Sequence, residues 1–381
     1  MPFKTNYKIY VVTGEVSGEN IIYQILKELS KKNVINLYGI GGMQLKSLGL
    51  KPLFSYTELS IMGLLEVLPK IPKILFLLNK VVNDVLKVEP DLIITVDAPD
   101  FSFRVLKRVK KRNSLLKNLH IVAPTVWAWK SGRAKKISFF IDNLFVLFPF
   151  ESKYFTKYKI NTKFIGHPIL DLIDNRKKTR NKFTRVISLF PGSRKKEIKL
   201  HLKIILDFLI VYKDIHNYQV VIVGVDKYLY LISKIYDPYK SKLNIKIVSA
   251  SQEKQNIFNK TYLAIAVSGT ITLELALNLI PTIVVYKLNT VSFSILKKLV
   301  KTKYISLINI LLNKKVLPEL VQKDLNERNL RVELDKLLNN RKEYQKQLQG
   351  FKKARELLSD KKKHIAFNAA KEIKRILETK P

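Results

Sequence analysis

Ile93-Ile94-Thr95-Val96-Asp97-Ala98-Pro99-Asp100-Phe101 is the stretch whose reading decides the fold. Residues 92–96 form an apolar run with one β-branched Thr, the composition of a strand buried on both faces. Pro99 cannot donate to a sheet ladder, so the strand ends about there. Asp97 is thereby placed at the carboxyl end of a strand, the edge where open α/β sheets bind ligands. A carboxylate at that spot is a candidate general base. The competing reading, open for Asp100 above all, is a turn aspartate that caps the next helix.

Working outward, strand and helix alternate. Residues 7–13 read as a strand, Gly14 to Gly18 as a tight turn, and Asn20 to Lys31 as an amphipathic helix. Further strands are expected at 35–40, 91–96, 119–123 and 143–148, with helices at 74–88 and 103–112. This rhythm indicates a mostly parallel sheet. Gly166-His167-Pro168 breaks it, and the polar, basic segment Asp174 to Thr184 reads as an interdomain linker. A second set follows: strand 185–190, helix 195–213, strands 219–223, 245–248 and 262–267, helix 270–279 and strand 282–286. The charged remainder, 326–380, reads as helical. The expected class is α/β, with two Rossmann-like domains facing a cleft. Residues 1–173 make the first domain and 185–345 the second. Helices of 346–381 pack back on the first domain or on a dimer partner.

Composition narrows the function. At 381 residues the chain is too long for one ordinary α/β core. There is no cysteine, which excludes disulfides and thiolate metal sites. The five histidines show no paired spacing, so no metal is expected. Met1 to Tyr10 lacks signal-peptide architecture, and no window approaches 18 uninterrupted apolar residues, so a cytoplasmic chain without a spanning helix is expected. The net charge is +38, from 69 Lys+Arg against 31 Asp+Glu, and such an excess favours anionic partners. From Arg104 to Lys136 there are eleven basic residues and no acidic one. No nucleic-acid motif accompanies the charge, so nucleic acid is not the expected partner, and a basic nucleic-acid-binding protein stays a remote alternative. Solvated lysine-rich faces account for much of the excess.

Two turns in the second half have phosphate-binding character. Pro191-Gly192-Ser193-Arg194 follows a strand and opens a helix, where free N–H groups and the positive helix end face an anion. Arg194 adds a bidentate donor suited to phosphate. Val267-Ser268-Gly269-Thr270 is again strand to helix, with Glu274 one turn inside and on the face of Thr270. An acid there can hold ribose hydroxyls while the turn holds phosphates. Such turns are common for structural reasons alone. Two in one domain, beside a carboxylate in the other, point to a nucleotide-bound donor.

These residues and their neighbours give the chain a family resemblance. Gly14-Glu15-Val16-Ser17-Gly18-Glu19, Glu58-Leu59-Ser60-Ile61-Met62-Gly63, Val96-Asp97-Ala98-Pro99-Asp100-Phe101, Pro124-Thr125-Val126-Trp127-Ala128-Trp129, Phe148-Pro149-Phe150-Glu151, Pro191-Gly192-Ser193-Arg194, Ser268-Gly269-Thr270 and Lys301-Thr302-Lys303-Tyr304 stand in order at family-like spacing. The sequence resembles the bacterial lipid-A-disaccharide synthases, membrane-associated glycosyltransferases of GT-B architecture. The resemblance implies inverting transfer of 2,3-diacylglucosamine from UDP-2,3-diacylglucosamine to the 6-hydroxyl of 2,3-diacylglucosamine 1-phosphate, without a cofactor or metal. It places the essential acid on Asp97, with Glu15 and Asp100 as candidate support and Ser17 and Gly18 on a turn lining the cleft. Donor contacts fall on Gly192, Ser193, Arg194, Ser268, Gly269, Thr270, Glu274 and Asn309. A homodimer is also implied. Another UDP-sugar enzyme of this architecture, an N-acetylglucosaminyltransferase or a 2-epimerase, is the alternative. The chain departs from the family pattern at Glu19, where Asp is usual, and at Ile308, where Pro is usual.

A membrane contact is expected from the residues themselves. Leu64-Leu65, Val67-Leu68, Ile71 and Ile74-Leu75-Phe76-Leu77-Leu78 are densely apolar and studded with Lys70, Lys73 and Lys80. An exposed apolar face rimmed by lysines, with Leu68, Ile71, Leu75 and Leu78 as its core, suits an anionic membrane surface on the cytoplasmic side of the inner membrane. The alternative is a helix buried against the sheet. His167 reads as a hinge hydrogen-bonder rather than an acid–base group, and one of the alternating Trp127 and Trp129 as core.

Overall fold

The computed structural model describes residues 6–54, 58, 71–128, 132–174, 185–300, 302–359 and 364–379. The chain divides into two compact units, Met1–Leu172 with Leu358–Pro381, and Ile173–Leu357. The stretches 59–70 and 175–184, with Trp129 and Lys301, lie outside the described residues; Leu68 and most of the linker fall there.

The first unit holds a seven-stranded parallel sheet. Its strands are β1 (Asn6–Thr13), β2 (Val34–Ile40), β3 (Lys51–Pro52), β4 (Leu92–Val96), β5 (Asn118–Ile121), β6 (Asn143–Val146) and β7 (Asn161–Phe164), in the order β3-β2-β1-β4-β5-β6-β7. Every residue of β4 is buried, as its unbroken apolar run requires of a central parallel strand. The order reverses between β1 and β4, so a switch point lies at their carboxyl ends.

Helices cover both faces. The helix Pro99–Arg112 starts with Pro at a position where its missing N–H is an orphan anyway, and ends in Lys110, Lys111 and Arg112, which complement the dipole. Its Val105, Leu106 and Val109 are buried in the core, where Leu106→Ala would cost about 2–5 kcal/mol. The helix Ile71–Val88 tolerates Pro72 in its first turn and buries Leu77, Leu78, Val81, Val82 and Val85. The expectation of Leu78 on an exposed patch is thereby corrected, because helical periodicity turns it into the core, fully buried. Ile71, Leu75 and Phe76 are the exposed apolar residues of this helix, Phe76 by 66%.

The C-terminal helix Ile365–Glu378 packs against the helix Val16–Ser30 and so completes the first unit. Asp171 accepts from the Ile365 and Ala366 amides at 2.9 and 2.6 Å, capping that helix from the far end of the sequence. His167 donates its backbone N–H to the Leu358 carbonyl at 3.0 Å, and burial lowers its imidazole to about 4, so it stays neutral.

The second unit repeats the plan with six strands: β8 (Val186–Phe190), β9 (Gln219–Gly224), β10 (Ile245–Ser249), β11 (Thr261–Val267), β12 (Thr282–Tyr286) and β13 (Glu319–Val321). Their order is β10-β9-β8-β11-β12-β13, so β8 and β11 take the places of β1 and β4. The two-sheet α/β expectation is borne out. Periodicity misses β3, β7 and β13, which are two to four residues long and too short to carry a pattern.

Candidate active site

In the first unit the candidate residues gather at the carboxyl edge of the sheet. β1 and β4 run in register there, Thr13 beside Val96. Gly14 follows Thr13, and a Cβ on it would meet the Ala98 Cβ at 2.7 Å. A Cβ on Gly18 would meet Val96 Cγ1 at 3.3 Å. These two glycines let the start of the helix Val16–Ser30, with Glu15 as its N-cap residue and Ser17 in its first turn, press against the end of β4.

Asp97 itself is left-handed, with φ 52°, and Ala98 follows at φ 44°. Just beyond the neighbouring strand β5, Val122, a β-branched residue, has φ 76°. Each such residue costs on the order of 1–3 kcal/mol, and clustered strain of this kind marks functional edges. The strain fixes Asp97. Its backbone N–H donates to the Ile121 carbonyl at 3.1 Å, and its carbonyl accepts from Ser102 Oγ at 2.9 Å. Among the described residues, Oδ1 accepts from the adjacent Ala98 amide alone, at 2.8 Å. Burial pushes the carboxyl above the ordinary carboxylate value, and the Ala98 hydrogen bond opposes this in part. The result is a half-buried carboxylate with increased proton affinity.

Asp100 has a different fate. Its side chain is 91% exposed and pairs with Arg133 at 2.5 Å. In the first turn of a helix it serves the dipole and that ion pair, without a capping hydrogen bond, so both the capping reading and the support of Asp97 give way to the pair with Arg133. Glu19 is buried, and its Oε1 accepts from the Gly42 and Leu45 amides at 2.8 and 3.1 Å. The longer arm of Glu thus caps the short helix Met43–Ser47.

From sequence Glu151 reads as first-turn helix chemistry, and the family resemblance leaves a cleft role open to it. It is buried and accepts from the Leu147 and Phe148 amides, at 3.2 and 3.1 Å, and from Trp127 Nε1 at 3.1 Å. It ties the loops after β5 and β6 together. Burial pushes its carboxyl up to about 7, against the opposing pull of those three donors.

The two turns of the second unit differ sharply. In Pro191–Arg194, Gly192 has φ 110°, and the helix Lys195–Val211 follows. Glu197 reaches back over this turn: Oε2 accepts from the Ser193 amide at 3.3 Å, and Oε1 pairs with Arg194 at 2.9 Å. The positive helix end is therefore balanced from within, and an anion must compete with Glu197. The spacing of Arg194 and Glu197 is that of a capping contact, a signal present in the sequence. In Ser268–Thr270 the N-terminus of the helix Thr270–Leu277 is open. Gly269 and Thr270 are exposed, and a Cβ on Gly269 would meet no atom within 4 Å. Glu274, one turn in, is held by Lys254 at 2.7 Å, a partner no sequence pattern announces.

Asn309 was expected as a donor contact, and the structure corrects this. It is fully buried and its amide is saturated. Nδ2 donates to the Leu317 carbonyl at 2.9 Å and to Glu319 Oε1 at 2.7 Å, while Oδ1 accepts from the Val316 and Leu317 amides at 2.8 and 2.9 Å. Glu319 also accepts from the Ile305 and Ser306 amides, and Ser268 Oγ donates to the Ile305 carbonyl at 3.2 Å. Asn309 thus holds the loop on which the open turn leans. Among the described residues no cluster of three or more His, Cys, Asp and Glu could hold a metal ion, and no helix is long and apolar enough to cross a membrane.

Two doubly wound parallel sheets, one ending in a strained acid and the other in an open helix N-terminus, define a GT-B type glycosyltransferase architecture. Solved structures share it. A UDP-GlcNAc 2-epimerase from Neisseria meningitidis bound to UDP-GlcNAc superposes with a TM-score of 0.63 at 13% identity, over 97% of this chain and 99% of that one. MurG of Acinetobacter baumannii gives 0.55 at 13% identity, over 98% and 99%. The lipid-A-disaccharide synthetase family model matches residues 9–373. A lipid-A-disaccharide synthase of Rickettsia bellii is 36% identical over 90% of this chain and 91% of its own length, and one of Rickettsia prowazekii is 35% identical over 96% and 98%. The chain belongs to the lipid-A-disaccharide synthase family, and its activity is that of a glycosyltransferase in lipid A biosynthesis.

Proposed function

We propose that this chain joins two acylated glucosamines, with Asp97 as the base and the open turn of the second unit as the seat of the UDP diphosphate. The observation that carries the reading is the strained, half-buried Asp97 at the switch point of the first sheet. In the reaction Asp97 takes the proton of the acceptor 6-hydroxyl. The oxygen attacks the anomeric carbon of the donor, the bond from that carbon to the diphosphate oxygen breaks, and UDP leaves with the electron pair. Inversion gives the β-1,6 disaccharide 1-phosphate. Increased proton affinity suits Asp97 to this step near neutral pH. The amides of Gly269 and Thr270, with Arg194 once it parts from Glu197, meet the charge that develops on the diphosphate. Glu274 is suited to the ribose hydroxyls.

The test is transfer from UDP-2,3-diacylglucosamine to 2,3-diacylglucosamine 1-phosphate in EDTA. Disaccharide and UDP are expected, at a rate unchanged by added Mg²⁺. Full turnover by Asp97→Asn would remove the central role of this residue.

The reading extends to the membrane surface. Ile71, Leu75 and Phe76 are exposed at the start of their helix, beside Lys73 and Lys80, and they make an interfacial contact with anionic lipid. Flotation with anionic liposomes tests it: Leu75→Asp with Phe76→Asp is expected to release the protein. A homodimer belongs to the same proposal, and sedimentation would give twice the 44.2 kDa of one chain.

A further inference from the structure

The helix Pro99–Arg112 begins two residues beyond Asp97. With the short helix Arg133–Ile137 and the turn after it, it walls a groove of about 560 Å³. Pro99, Phe103 and Lys107 lie four residues apart on one helix face, so the groove runs from the Asp97 end along two turns. Its walls are aromatic at Phe103, Phe139 and Phe140, and Phe139 is 77% exposed. Such exposure of a phenylalanine inside a concave apolar surface marks a place that something apolar covers.

The rim is cationic. Arg104, Lys107, Arg133 and Lys136 line the groove against the single carboxylate of Asp100. Arg133 neutralises that carboxylate and is fixed over the Phe103 ring, 5.3 Å from its centroid. Arg104, Lys107 and Lys136 are exposed and have no ion-pair partner among the described residues. Aromatic walls under unpaired cations fit one chemistry, an anionic headgroup joined to an alkyl chain. The groove begins at Pro99, two residues after Asp97 in the chain.

We propose that this groove is the acceptor subsite, holding the phosphate and part of one acyl chain of a phosphorylated acylglucosamine whose free hydroxyl reaches Asp97. The proposal rests on the reading of function given above. Arg104 and Lys107 take the phosphate, Arg133 orients it, and Phe139 closes over the chain.

The test uses the full chain in micelles of neutral detergent, free of anionic phospholipid. Arg104→Ala with Lys107→Ala is expected to raise the acceptor KM about tenfold or more while leaving the donor KM within about twofold. The same variant should no longer prefer the phosphorylated acceptor over the same acyl sugar lacking phosphate. Phe139→Ala should raise KM for both acceptors alike. An unchanged acceptor KM, or undiminished discrimination by the double variant, overturns the proposal. So does a double variant that loses only its binding to anionic vesicles, since the groove then holds bulk lipid. Equilibrium binding of the acceptor, which needs no turnover, judges the groove separately from the reaction. Failure of the wild type to form disaccharide would overturn the reading of function, while a wild type that binds acceptor tightly and a double variant that does not would still sustain the groove.

Discussion

The turns after β4 and after β11 stand at equivalent places in two sheets of the same winding, yet they are built for opposite purposes. The first is closed: Gly14 is pressed on Ala98, the successive residues Asp97 and Ala98 are left-handed, and the acid is half-buried. The second is open: Gly269 has space around it and extended backbone, and its helix end presents unshielded amides. On the proposed function, one topology would supply a fixed proton acceptor in one unit and an adaptable anion seat in the other. The closed turn obtains precision through strain and tight packing. The open turn obtains access by leaving space unfilled.

The comparison breaks first at Asp97. Asp97→Asn should lower turnover by about 10²–10⁴-fold, the usual worth of a general base. Circular dichroism should be unchanged, because Asn also tolerates the left-handed region. An intact rate would reduce the closed turn to a structural feature. Because burial raises the Asp97 carboxyl, the acid limb of the rate profile should lie above the ordinary carboxylate value of 3.8 and vanish from the residual activity of this variant.

Glu151 sharpens the picture of the same edge. The unfolded chain ionises this group near 4.5 and the folded chain near about 7. Protonation therefore favours the fold: the contribution, on the order of 3 kcal/mol, is complete below the lower value and lost as pH rises through the upper one. Urea midpoints should fall between about pH 5 and about pH 8, and Glu151→Gln should flatten that fall. Trp127, hydrogen-bonded to this carboxyl, is the emission probe.

Smaller effects separate the two turns directly. Gly14→Ala should destabilise by about 1–3 kcal/mol through overpacking against Ala98, read as a lower Tm. Gly269→Ala should stay within about 0.5 kcal/mol of wild type, since its Cβ meets nothing, and should raise only the donor KM, by a few fold. Equal thermal penalties in the two variants would erase the distinction between closed and open.

Much of this was present in the residues. The apolar run 92–96 ending at Pro99 was enough to put Asp97 at a sheet edge, and Gly192 and Gly269 marked both turns of the second unit. Glu197 carried a readable capping spacing. Glu319 and Lys254 had no such signal: Glu319 joins Asn309 ten residues back, and Lys254 meets Glu274 from a preceding helix. Leu78 was misread because an apolar run does not say which of its members face the core until the helix phase is set.

The sequence by itself determined the alternation of strands and helices, the family and the candidate base, because backbone periodicity, proline and local turn chemistry are short-range properties. Only the tertiary structure decided which of the two phosphate-type turns is open, that Asn309 is saturated, and that Asp100 belongs to Arg133. Each depends on which distant groups compete for the same hydrogen bonds or the same space, and that competition exists only once the chain has folded.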